Sequence, residues 1–254
     1  MSILENAFHA ICAQILPTSC IACAAFQAET LCPACRKQLE AENLLHYECC
    51  QQCGTTLARS ELLAQRCNDC VDTAPYFDET YCLDRYEGKL QAALHQLKYH
   101  KRLAFAHGLA TSWNHIAAQS IFETNANYLL PVPLSKEKLC LRGFNQSWEI
   151  ARRIHLHPQI KRLPNALLRR HSSQSLALEN KLGRRIAIQG LFHISPQFQA
   201  ILKNKTVIVF DDVMTSGATL NEIARVLKDN GVSRVINWVL LRTARPTPLR
   251  NAYV

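Results

Sequence analysis

Asp211 and Asp212 stand side by side, directly after the apolar run Val207–Phe210 and shortly before Thr215-Ser216-Gly217-Ala218-Thr219. Two adjacent carboxylates repel, so a site that keeps both needs a cation or a ring of hydroxyls to offset the cost. The apolar run reads as a buried strand over Thr206–Phe210, with the two acids at its carboxyl end. Ala218–Asp229 reads as a helix, because Leu220, Ile223, Ala224 and Leu227 form one apolar face and Asn230-Gly231 supplies a stop. The loop between them therefore meets a helix N-terminus, where free N–H groups and the helix dipole favour a phosphate and Gly217 lets the backbone come close. Thr215, Ser216 and Thr219 add hydroxyl donors, and the acids suit ribose hydroxyls or a metal held on them. Neither a G-x-x-x-x-G-K-[ST] nor a G-x-G-x-x-G run is present, which excludes P-loop and dinucleotide sites of the usual kind.

A second chemistry lies at the front of the chain. Four C-x-x-C units occur, Cys20/Cys23, Cys32/Cys35, Cys50/Cys53 and Cys67/Cys70. A two-residue gap points both thiolates of a tight turn at one ion, and two turns complete a tetrahedral S₄ shell. Thiolate softness favours zinc, with iron as the competitor. With all four positions filled, these ions are expected to be structural, replacing a core that the few apolar residues between the turns do not provide. Sequential and cross-braced pairings both satisfy the spacing, and Cys49 beside Cys50 leaves the register open. Cys12, Cys82 and Cys140 stand apart and read as ordinary thiols.

These groups need a scaffold. The 254 residues allow a large domain with a small companion. We expect an N-terminal amphipathic helix over 1–17, a cysteine-rich module over 18–75 and a larger domain over 76–254. In the last, "ETYCLDRY", "NYLLPVPL" and "RVINWVLL" read as strands, and Lys89–Lys98 and Asn145–Ile154 as helices. Continuous apolar strands alternating with helices predict an α/β fold, a mostly parallel sheet covered on both faces, with ligands where strands end and helices begin. Residues 1–75 carry 4 basic and 8 acidic side chains, whereas the rest carry 25 and 12. The basic excess thus falls in the larger part and points to a polyanionic partner. No run approaches the ~20 apolar residues that cross a bilayer, and the start of the chain lacks the basic flank of an export signal.

"VIVFDDVMTSGAT" resembles the phosphoribosyl-diphosphate signature of the type I phosphoribosyltransferases, and the chain as a whole resembles the ComF family of competence-associated phosphoribosyltransferase-like proteins. The likeness also rests on the cysteine module, on "YEGKLQAALHQLKYHKRL" and on "VPLSKEKLCLRGFNQS", and covers roughly residues 18–243. It implies a type I phosphoribosyltransferase-like fold behind a double zinc ribbon. Asp211 and Asp212 would hold the ribose of phosphoribosyl diphosphate with Mg²⁺, and Thr215, Ser216, Gly217, Ala218 and Thr219 its 5′-phosphate. Lys136, Lys138 and Arg142, on or near the loop after a strand, would meet the pyrophosphate, with Lys98 as a further contact. In "SSQSLALENKLGRRIAIQGLF" Gln174, Arg184, Gly190 and Phe192 follow the family's pattern, but Ala187 replaces its Asn.

The activity implied is transfer of a phosphoribosyl group to a nitrogenous acceptor, in a cytoplasmic protein that acts in natural competence and reaches the inner membrane only through a partner. A catalytically silent phosphoribosyl sensor, or a single-stranded DNA-binding module working with DNA-uptake or recombination proteins, is the alternative. Tyr86, Tyr99, Phe144 and Trp148 are then the candidate base-stacking residues. The histidines form no evident ligand pair, and His95, His100 and His107, along helical segments, read as surface residues.

Overall fold

The computed structural model describes residues 18–44, 48–117, 125–170 and 188–244. The helix expected over 1–17, Cys12, and the stretch that holds Gln174, Arg184 and Ala187 lie outside them. The cysteine-rich part contains a short antiparallel pair, β1 (Thr18–Ser19) and β2 (Phe26–Gln27), then α1 (Pro33–Glu42) and α2 (Asn68–Asp72). There follow β3 (Glu79–Arg85), α3 (Gly88–His100), α4 (Ala104–Ala117), β4 (Tyr128–Pro131), α5 (Lys136–Arg142), α6 (Gln146–Ala151) and β5 (Lys161–Arg162). A small hairpin-like pair, β6 (Leu167–Arg169) with β7 (Phe192–Ile194), precedes α7 (Pro196–Leu202), β8 (Thr206–Met214), α8 (Ala218–Asp229) and β9 (Arg234–Arg242).

The main sheet has the order β3-β9-β8-β4-β5, and every pairing in it is parallel. Parallel strands require crossovers, which the helices supply, and both faces are buried as a result. Alternation along β8 divides its side chains. Ile208 and Phe210 enter the core that contains Leu94, Leu97, Trp113 and Ile150, whereas Val207 and Val209 enter the core that contains Leu220, Ile223 and Leu227. The fold is thus the type I phosphoribosyltransferase-like sheet that the resemblance implies.

Two boundaries differ from the sequence reading in ways that matter. The strand holding the acids does not stop at Phe210. It runs to Met214, because β9 continues beside it as far as Arg242. On its other side β4 pairs only up to Pro131 opposite Phe210, so past that point one edge of β8 has no strand neighbour. Asp211 and Asp212 therefore sit inside a strand, at the place where the sheet opens. Lys136, Lys138 and Arg142, expected on or near a strand-loop, lie on the helix α5, which Ser135 caps by accepting from the Lys138 amide and Gly143 ends in the left-handed region.

The cysteine module wraps the sheet's edge strand. Thr80 of β3 donates its amide to the Gln51 carbonyl at 3.1 Å, and its hydroxyl to the Gln52 carbonyl at 2.6 Å. An otherwise open edge is covered in this way. Cys20, Ile21, Leu31 and Cys35 join one core, and Cys50, Cys53, Cys67 and Cys70 join the other. The contacts are close. A Cβ at Gly108 of α4 would lie 2.5 Å from Ile21 Cγ2, and one at Gly54 (φ +66°) would lie 2.6 Å from Cys82 Sγ. Gly54→Ala meets both the positive φ and the buried thiol, so it should cost about 2 kcal/mol or more of stability. Urea denaturation of the full chain measures this; an unchanged midpoint would show that the turn does not pack on β3.

Candidate functional site

Both acids are buried, Asp211 at 9% and Asp212 at 4% exposure. Because neighbours on a strand face opposite ways, the pair splits its partners. Asp212 forms a short ion pair with Lys98 near the end of α3, and accepts from the Gln146 carboxamide of α6 at 3.4 Å. Asp211 accepts from Ser147 Oγ at 3.3 Å and from the Asp212 amide at 2.9 Å. Burial raises the Asp211 carboxyl well above its ordinary range, and the charge of Asp212 adds to this. Burial works against ionised Asp212 too, but Lys98 outweighs it by charge and hydrogen bond and holds that carboxyl below its usual value. One member of the pair is kept charged and the other is pressed toward neutrality. The Lys98 ammonium lies where a cation on the acid pair belongs.

The geometry of α6 follows from Asn145. Its side-chain oxygen accepts from the amides of Ser147 (3.0 Å) and Trp148 (3.5 Å), while its Nδ2 donates to Val132 O at 2.9 Å. The cap thereby ties the helix to the end of β4 and aims Gln146 and Ser147 at the acids. Gln146 accepts in turn from Arg142 Nη1 at 2.7 Å. Arg142 also lies 5.6 Å over the ring of Tyr99, which is 60% exposed and meets the His95 ring at a tilt of 41°, 4.3 Å between centroids.

More positive charge gathers here than the acids neutralise. Lys138 reaches solvent, yet desolvation and then the charges of Arg169, Arg142 and Lys98 press it below the usual ammonium range. Desolvation lowers Arg169 as well; it lies 5.5 Å over the Phe192 ring, across the β6–β7 pair. Four cations from α3, α5 and β6 thus face one another beside ionised Asp212, with Glu137 also acting on Arg169, and a multiply charged anion relieves this excess. Lys136, on the first turn of α5, is exposed and makes no ion pair among the described residues.

Across the acids, a cavity of about 300 Å³ is lined by Asp211, Val213, Ile188 and the run Met214 to Leu220. Gly217 (φ +77°) is the N-cap of α8, and a Cβ there would meet Met214 Cε at 2.6 Å. Ser216 Oγ accepts from the Ala218 amide at 3.4 Å, and the first turn of α8 has amides with no partner inside the helix. Thr215, Ser216 and Thr219 surround those donors, so the cavity offers hydrogen-bond donors suited to an anion on one side and has a carboxylate on the other.

The eight cysteines form two tetrads in sequential order. The sulfurs of Cys20, Cys23, Cys32 and Cys35 lie within 4.8 Å of one another, as do those of Cys50, Cys53, Cys67 and Cys70. Cys23 and Cys32 sulfurs are 3.8 Å apart and those of Cys53 and Cys67 are 3.6 Å apart. Four thiolates at the usual zinc–sulfur length would be about 3.8 Å apart, so each tetrad can hold a zinc ion in a closed shell. Cys49 is outside the second tetrad, its Sγ 3.7 Å from Leu44 O. Lys89 Nζ stands 3.6 Å from Cys35 Sγ, a cation beside a thiolate cluster. Cys82 is buried under the second tetrad's turn, and Cys140 is exposed on α5.

The sequence reading did not single out Ser147 or Arg169, and gave Gln146 no role. Gln146 and Ser147 belong to the quoted "RGFNQS" run, so their position was a signal. Arg169 lies in no motif, and only the pairing of β6 with β7 brings it to the site.

The phosphoribosyl transferase domain family matches residues 150–254. Competence protein F of Haemophilus influenzae (strain ATCC 51907 / DSM 11121 / KW20 / Rd) is 27% identical over 221 residues, covering 84% of this chain and 90% of that protein. DNA utilization protein YhgH of Escherichia coli (strain K12) is 25% identical over 216 residues, again covering 84% and 90%. Among solved structures, a hypoxanthine phosphoribosyltransferase from Staphylococcus aureus is similar at a TM-score of 0.31 and 15% identity, over 59% of this chain and 70% of that one. Among the described residues no helix is long and apolar enough to cross a membrane.

Replacing Asp211 by Asn tests the electrostatics. In the folded wild type this carboxyl keeps its proton at pH values where the unfolded chain has lost it, so stability falls as pH rises above about 4 through the folded value. Asn has no such loss. The stability advantage of Asp211→Asn should be absent below about pH 4 and grow with rising pH, as read from denaturation midpoints; a constant difference across pH would contradict the raised carboxyl.

Proposed function

We propose that this chain, which carries a phosphoribosyl transferase domain and is a homologue of competence protein F and YhgH as its ComF resemblance implies, binds phosphoribosyl diphosphate with Mg²⁺ across the opened edge of β8. The observation that carries the reading is the convergence of three complementary features on the acid pair, Asp211 lining the cavity and Asp212 pairing with Lys98 of the cation cluster. An anion cavity at the N-terminus of α8, two buried carboxylates on β8 and four cations from α3, α5 and β6 follow one another in the order phosphate, ribose, diphosphate.

In this reading the α8 amides and the hydroxyls of Thr215, Ser216 and Thr219 hold the 5′-phosphate. Asp211 and Asp212 accept from the ribose hydroxyls. Lys98, Lys138, Arg142 and Arg169 take up the charge that develops on the pyrophosphate as the C1′–O bond breaks. Mg²⁺, where bound, supplies further positive charge to the diphosphate. No protein nucleophile is needed; the chain's task is to orient the ribose and to exclude water from a sugar cation. The acceptor is nitrogenous, and a screen of free bases for pyrophosphate release identifies it. The names of the relatives, competence protein F and DNA utilization protein YhgH, support a role in competence and DNA utilization.

Calorimetry tests the binding. Asp211→Asn together with Asp212→Asn keeps the shape and removes the charge, and should weaken binding of phosphoribosyl diphosphate with Mg²⁺ by about tenfold or more, roughly 1.4 kcal/mol. Equal affinity in wild type and double variant would remove these residues from the site.

Tyr99 favours a second reading, contact with single-stranded DNA. Phe144 and Tyr86 are partly buried against the core, whereas Tyr99 is exposed at the rim, next to Lys98 and under Arg142. A base stacked there would contribute about 1–3 kcal/mol. Affinity for single strands should fall with salt at a log–log slope of about −0.7 per phosphate engaged. Tyr99→Ala should lower the binding that persists at high salt, and Phe144→Ala should not. No binding in dilute buffer would end this reading without touching the first.

A further inference from the structure

β9 ends on Arg242, a residue in none of the motifs and only 8% exposed. Among the described residues its guanidinium has no carboxylate partner. It donates to backbone carbonyls alone: Nε to Cys53 O at 3.1 Å, and Nη1 to Met214 O at 3.1 Å, to Thr243 O at 3.2 Å and, closest of all, to Thr215 O. A guanidinium stays charged at any working pH, so a buried one depends on its full set of acceptors. One of those acceptors belongs to a ligand of the second cysteine tetrad, and two belong to the start of the loop that opens into α8.

The tetrad fixes its end of this strut. Cys50 and Cys53 flank a tight turn, closed by Gly54 N to Cys50 O at 2.8 Å and Cys50 N to Thr55 O at 2.7 Å. A metal held by both sulfurs would set the direction of the Cys53 carbonyl. A second tie runs in parallel: just beyond α2, which carries Cys70, the Tyr76 amide donates to Asn221 Oδ1 in the first turn of α8 at 2.7 Å. The first tetrad has no such link among the described residues; its neighbours are Lys89 and the core around Leu90.

We propose that Arg242 is a positioning residue that couples metal occupancy of the second tetrad to the shape of the Thr215–Thr219 loop. The inference rests on the reading of that loop as a phosphate site. Without metal the turn loses its clamp, the Cys53 carbonyl is free to rotate, and the guanidinium no longer fixes the Met214 and Thr215 carbonyls. The donors of the loop then cease to converge. Linkage makes the effect reciprocal: a ligand that holds the loop in shape also holds the ion in the tetrad.

The test uses the full chain loaded with zinc and ribose 5-phosphate as the probe, which needs no Mg²⁺ and so tolerates a chelator. Zinc release to a chromogenic chelator is followed with and without saturating ribose 5-phosphate, and Cys23→Ser and Cys70→Ser assign the two phases. Release from the second tetrad should slow by about fivefold or more, within the usual span of coupling between sites, while release from the first stays unchanged. Arg242→Gln, loaded with both ions and given enough probe to saturate its weakened site, should lose the slowing. If calorimetry shows the probe bound and neither phase responds, the coupling is wrong.

If the probe does not bind, it is the phosphate reading that fails, and the coupling is decided by hydrogen exchange instead. Loss of the second ion in Cys70→Ser should speed exchange in residues 214–219, and loss of the first in Cys23→Ser should not. The same comparison decides the matter if Arg242→Gln does not fold. Unchanged exchange in Cys70→Ser would overturn the proposal.

Discussion

Asp211 and Asp212 are buried next to each other at the point where β8 has lost its β4 neighbour but keeps its ladder to β9, and the repulsion between them sets the terms for the rest of the site. Removing two like charges from water is costly unless each finds a partner. The chain meets this requirement unequally. Lys98 and Gln146 hold Asp212 charged, while Asp211 is left with a hydroxyl and an amide and is driven toward its protonated form. Such a pair is expensive to the empty protein and suited to a ligand that brings hydroxyl donors and a cation. The cavity at α8 and the cations of α3, α5 and β6 extend that complementarity to either side.

The cysteine module is bound up with the same sheet. It pairs along the edge of β3, and each tetrad contributes to a different core. Metal here would replace apolar volume in a segment that has little of its own, and it would do so at the flank of the strand that leads through Arg242 to the loop. A closed four-sulfur shell leaves no place for substrate, so an ion there acts through shape.

Much of this was legible in the sequence because it is local. A buried strand, a hydroxyl-rich loop and an amphipathic helix occupy one continuous stretch, and α8 has the bounds its apolar face implies. The C-x-x-C units likewise identify the two sets of four, although only the folded chain distinguishes sequential from crossed pairing. What was not legible depends on distant segments. The length of β8 is set by β9, the placing of Lys138 and Arg142 by a short helix that carries no apolar stripe, and the arrival of Arg169 by its pairing with Phe192. Arg242 reads as the polar end of a strand until its four carbonyl partners are seen. α4 is a different case: Ala106, Leu109, Ala110 and Trp113 mark a buried helical face that was there to be read.

In the proposed binding mode one ligand reaches from the α8 amides, over the acid pair, to the cation cluster. A crystal structure of the full chain with phosphoribosyl diphosphate and Mg²⁺ tests it most directly. The 5′-phosphate is expected within hydrogen-bond reach of the Thr215–Thr219 loop, the ribose hydroxyls on Asp211 and Asp212, and the diphosphate among Lys98, Lys138, Arg142 and Arg169. A ligand bound elsewhere, or a diphosphate turned away from these four cations, would contradict it.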